Sequence, residues 1–175
     1  MIATWAIGGL YLSLGPSLAF LLLGTESRVI GGLVIAALLG TAGLASALVG
    51  AARPRDLLMW GSLALLVGVG ITLAAVFMDS LAGFFVGSVV AGIGFGPAFV
   101  GVLRSVAPLA PPEQRGALLA SLYLVLYLSF SVPTVIAGAA VSEFGLRATT
   151  YGYGVAVMAL AATTTAVVAR RGAGA

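Results

Sequence analysis

Tyr123, Tyr127, Ser131 and Thr134 follow one another at steps of four, four and three, a spacing that places four hydroxyls on one face of an α-helix. A second group, Tyr11, Ser13 and Ser17, brackets the Gly15-Pro16 pair. Neutral hydroxyls can orient a solute by hydrogen bonds, or they can bond a neighbouring helix at about 0.6 kcal/mol each. Lining a substrate cavity and knitting helices together are both open to these residues. The rest of the composition narrows the chemistry. There is no His and no Cys, so imidazole base, thiolate nucleophile and the commonest metal ligands are all missing. No HExxH, Walker sequence or GxSxG occurs, and GIGFGP has Pro97 where a dinucleotide fingerprint would need its last Gly. The expectation is a protein without catalytic residues, cofactor or metal site.

The elements that carry these hydroxyls are apolar stretches. Six of them, at about 3–24, 29–51, 57–78, 80–103, 116–141 and 148–169, fill most of the 175 residues, and the charges fall in the gaps. Each clears the roughly 20 residues that a helix needs to cross about 30 Å of hydrocarbon. Only 7% of the residues are charged and the mean hydropathy is +1.20, whereas a soluble chain carries about a quarter charged residues. Runs such as VIAALL and LALLV are apolar on every side, without the alternation of a barrel strand. The expected fold is therefore all-α, one polytopic transmembrane bundle of six spans forming a single domain. Met1 is followed at once by ATWAIGGL with no basic segment, so the first span is expected to be retained.

Eight arginines supply all the positive charge, and their distribution orients the bundle. With six spans, Arg53, Arg55, Arg104, Arg115, Arg170 and Arg171 lie on the side of the termini, and Arg28 and Arg147 on the other. The positive-inside rule then puts both termini in the cytoplasm and the chain in the plasma, or inner, membrane. Trp5 and Trp60 at one side and Tyr151 and Tyr153 at the other are expected as interfacial anchors. Scattered over several loops, the arginines do not form the basic face that a nucleic acid would require.

Glycine and proline supply the remaining pattern. Span four repeats Gly through GFFVGSVVAGIGFGPAFVG, which permits close helix approach or a helix that slides and bends. Pro16, Pro97 and Pro133 lie inside spans and each removes a backbone donor. Gly15, Pro16, Gly96, Pro97 and Pro133 are thus candidate positions for helix breaks and gating, since broken helices mark transporter binding sites.

Over its whole length the chain resembles the second six-helix half of a major facilitator superfamily transporter. The residues that carry the likeness are IGFGPAFVGVLRSVAPLAPPEQRGALLASLYLVLYLSFSVPTVIAGAAV, with its Gly-rich fourth helix, the loop APPEQRG around Arg115, and the late Pro133 and Gly138. GAARPRDLL resembles an altered copy of the family's cytoplasmic loop signature, with Gly50, Arg53, Arg55 and Asp56 as counterparts. Gly83, Gly92, Gly96, Pro97 and Gly101 also fit an antiporter spacing, with Val100 in place of a Gly, but on the fourth helix rather than the fifth. That match is read as a coincidence of a Gly-rich span and as no more than a pointer to efflux. The resemblance implies a secondary carrier of a small solute, with Tyr11, Ser13, Ser17, Tyr123, Tyr127 and Ser131 facing the cavity. It implies as partners the lipid bilayer, the solute, and a missing N-terminal half or a second copy. The other reading is a non-transporting membrane scaffold, or a relic half that associates with a partner. Any ion coupling would fall to the other half, because no Asp, Glu, Lys or Arg occupies the centre of a span.

Overall fold

The structure, a computed structural model, describes residues 2–24 and 28–173, without the side chains of residues 3, 28 and 171–173. Two of the arginines counted above, Arg28 and Arg171, thus have side chains outside the described residues. Helix follows helix: α1 (Ile2–Ser13), α2 (Gly15–Leu23), α3 (Arg28–Leu48), α4 (Pro54–Phe77), α5 (Leu81–Val106) and α6 (Arg115–Ala173). Four of these are long and apolar enough to cross a membrane, and five if α1 and α2 count as one broken span.

Local chemistry sets the boundaries. Pro16 cannot donate to the carbonyl one turn back, and α1 and α2 meet there at a bend of 48°. Backbone bonds still cross the bend, from Leu14 N to Leu10 O and from Leu18 N to Leu14 O. Gly24, at φ 68, closes α2 in the left-handed conformation that glycine adopts without strain. Pro54 opens α4 at the position where a missing N–H is harmless. The turn into α5 is very short, and the Ser80 hydroxyl caps α5 by accepting from Gly83 N at 3.1 Å. The proline-rich stretch after α5 forms two single 3₁₀ turns, Ala107–Leu109 and Pro112–Gln114.

The helix α6 is 59 residues long, which as a straight rod would extend about 88 Å, nearly three hydrocarbon thicknesses. Gly145 interrupts it with φ 80 and ψ 164, a region essentially restricted to glycine. The result is two limbs, 115–144 and 146–173, that both pack on α1.

Pro97 and Pro133 behave differently from expectation. Each lies inside a helix that continues past it, so of the three prolines Pro16 alone stands at a break. A proline ring fixes φ near the helical value, and the bonds of the flanking turns hold the axis together.

The packing is built on glycine. Helices α4 and α5 run antiparallel, Gly61 against Ala98, Gly68 against Ala91 and Gly87 against Thr72. A Cβ added at Gly68 would lie 2.7 Å from the Ala91 Cα, so the two backbones are nearly in contact. The opposite side of α5 places Gly92 and Gly96 on Leu38 and Ala42 of α3, which runs parallel to it. The glycines of α5 thus serve close packing on two neighbours at once. Around this pair lies the main core, with Ile7, Leu10, Tyr11, Leu18, Val34, Leu38, Val69 and Phe84 all buried.

Candidate functional site

The hydroxyl face of α6 divides in the structure. Tyr123 and Tyr127 are 38% and 58% exposed, their rings form a tilted pair 6.4 Å apart, and Ser131 is exposed beside them. Thr134, the fourth member, is half-buried and donates to Phe130 O at 2.7 Å, which ties it to its own helix. Tyr127 also meets the Trp5 indole edge-on at 5.4 Å, and Trp5 meets Phe99 at 6.1 Å. This aromatic group joins α1, α5 and the first limb of α6. It packs Trp5 against neighbouring helices, with the buried indole N–H lacking a hydrogen-bond partner. Trp60 is 63% exposed and remains on the outside.

The second hydroxyl group is not brought together with the first. Tyr11 is buried at 1% exposure, packed on Phe84 at 5.9 Å, and hydrogen-bonded to the Thr72 hydroxyl. Thr72 itself donates to Gly68 O at 2.9 Å. Ser13 is half-buried and donates to Gly9 O at 2.6 Å, while Ser17, beyond the bend, is exposed. Of the seven hydroxyls, Tyr123, Tyr127, Ser131 and Ser17 therefore reach an open surface. Tyr11 is an element of the core, held between Thr72 of α4 and Phe84 of α5.

Gly15 is buried against Val34, and Gly96 against α3; Pro16 touches the position where Gly31 would carry a side chain. At the other charged end, Arg53, Arg55, Asp56 and Arg115 are all exposed. Nearby, Arg104 in the last turn of α5 donates to Gly50 O at 2.8 Å and Ala52 O at 3.1 Å, fastening the α3–α4 connection to α5. A guanidinium fork suits two carbonyls at once. At the opposite end Arg147 pairs with Asp79 and donates to Val76 O at 3.2 Å, which holds the second limb of α6 to the α4–α5 turn.

No known family model matches the chain, and no curated protein matches it.

A cavity of about 580 Å³, not foreseen from the residue pattern, lies between the two limbs of α6 and against α1. Small residues make the room for it, among them Ala137, Ala140, Ala148, Gly152 and Ala156. Thr149 and Tyr153 are its polar members. Tyr153, expected as an interfacial anchor, turns inward and donates to Ala6 O at 2.7 Å. Thr149 Oγ1 and Trp5 Nε1 are, among the described residues, the buried side-chain polar atoms without a partner. Among the described residues, no group of acidic residues is placed to hold a metal ion.

Proposed function

We propose that the chain is a major-facilitator-type secondary carrier half, with six spans, moving a small amphipathic solute along the Tyr123–Tyr127–Ser131 face. The observation that carries this reading is the exposure of Tyr127. It lies in the apolar run of the first limb, at the level of Trp5 near the start of α1 and Phe99 near the end of α5. An exposed pair of phenols and a serine on an otherwise apolar face is accommodated where a water-filled path or a partner covers it. The covering unit in this proposal is a second six-helix half, supplied by another chain or a second copy, so that the path runs between the two. Counting the bent pair α1–α2 as one crossing and the limbs of α6 as two gives the six spans. The resemblance set out above supports the family assignment, and the arginine distribution supports cytoplasmic termini in the plasma membrane.

The chain has no Cys, so single cysteines can be introduced without background. Tyr127→Cys and Ser131→Cys in intact membranes should react with a membrane-impermeant, water-soluble thiol reagent, while Val155→Cys, exposed on the second limb, serves as the lipid-facing reference. Reaction at both positions, together with solute flux in vesicles, supports the carrier. If both stay as inert as residue 155, the cavity lining is wrong. Reaction without flux of any solute would favour the membrane scaffold that associates with a partner.

A further inference from the structure

Hydroxyls on apolar helices ordinarily donate to the carbonyl one turn back, which satisfies them without a partner. Ser13, Thr41, Thr72, Ser88, Thr134 and Thr150 all do so here, at 2.5–2.9 Å. Thr149 makes no such bond. It lies in the first turn of the second limb, after Gly145 with its φ of 80 and ψ of 164. Thr149 is 7% exposed and its Oγ1 makes no hydrogen bond. A buried donor left in this state costs about 1–3 kcal/mol unless something accepts from it.

The same residue lines the cavity of about 580 Å³ between the limbs of α6. Tyr153, the other polar member, already donates to Ala6 O, which leaves Thr149 as the available donor. The remaining walls are apolar. Ile136 and Phe144, on the rim, are 63% and 73% exposed, so the cavity is a trough open at the side of the bundle. A single donor in such a trough selects a ligand with one acceptor and an apolar body, and the volume falls within the roughly 300–1,000 Å³ of small-ligand sites.

Depth decides which ligand. Arg147, paired with Asp79, marks the aqueous end of the limb, and Thr149 lies about 3 Å further in, at the boundary between polar and apolar layers. Leu160, at the far end of the trough, is eleven residues on, about 16 Å, or roughly half of a 30 Å hydrocarbon core. That is the length of one leaflet. We propose that the trough holds one ester-linked acyl chain of a bilayer lipid, with Thr149 Oγ1 donating to the ester carbonyl. The inference rests on the membrane reading of the chain and is independent of whether it transports a solute.

The test uses the full chain purified in detergent with equal amounts of a diester and a diether phosphatidylcholine of the same chain length, and counts the retained lipids by native mass spectrometry. The wild type should retain the diester about fivefold over the diether, the worth of one ordinary hydrogen bond. Thr149→Val should bring that ratio close to one, and Thr149→Ser should restore it. Gly152 has open space around its Cα, so Gly152→Leu fills the trough without a clash and should cut retention of both lipids. Equal retention by the wild type, or an ester preference that survives Thr149→Val, overturns the proposal. Because no flux is read, failure of the carrier reading would leave these outcomes unchanged.

Discussion

Tyr11 and Thr72, sixty-one residues apart in the chain, are joined hydroxyl to hydroxyl inside the bundle. The bond links α1 to α4 at the level where Phe84 of α5 covers the Tyr11 ring. Thr72 keeps a second bond to Gly68 O, so loss of the tyrosine hydroxyl would not strand its partner. Tyr11→Phe should therefore destabilise the chain by only about 0.6–1 kcal/mol. A small drop in thermal midpoint in detergent, with unchanged labelling of Ser131→Cys, is the expected result. A large loss of solute-dependent behaviour without a stability change would instead place Tyr11 on a solute path.

Gly68 is where the α4–α5 backbones come closest to exchanging side-chain volume. Gly68→Ala should cost about 1–3 kcal/mol, since the new methyl meets the Ala91 backbone rather than a flexible side chain. Gly32→Ala on α3 has nothing within 4 Å and should be neutral or stabilising. Size-exclusion profiles and melting curves of the two variants, compared side by side, check the contrast.

Gly145 holds a backbone conformation that residues with a Cβ adopt only under strain. Gly145→Ala should cost about 1–3 kcal/mol. The loss should appear as easier proteolysis next to the turn, because the pairing of Arg147 with Asp79 depends on that geometry.

Arg104 binds two carbonyls of the α3–α4 connection from the end of α5. Arg104→Gln should release that connection and raise protease cleavage at residues 49–53, at a stability cost of about 1 kcal/mol for these partly exposed bonds. Arg104→Lys keeps the charge but not the fork, and should recover part of the protection at most.

Much of the architecture was legible because lipid-compatible helices need length and apolarity, and both are properties of a linear string. The run from Pro54 to Phe77 and the run from Leu81 to Val106 match their expected spans within three residues. The Gly15-Pro16 bend was legible too, since a missing donor is a local fact. The hydroxyl stripe was half legible: its spacing defined a face, but only neighbouring helices could turn Thr134 inward and leave Tyr127 outward. Trp5 and Tyr153 sit at the ends of spans in the sequence and pack against neighbouring helices in space, because their rings reach across to α5 and α1.

By itself the sequence determined that the chain is helical and apolar, where α4 and α5 run to within three residues, and that it carries no His or Cys. Those properties follow from composition and from bonds within one or two turns. Tertiary structure decided which hydroxyls are core and which are surface, that Arg104 and Arg147 fasten opposite ends, and that Thr149 is left unpaired beside a trough. Each of these depends on residues tens of positions apart, or on one glycine's dihedral angles, and neither is written in a residue's type.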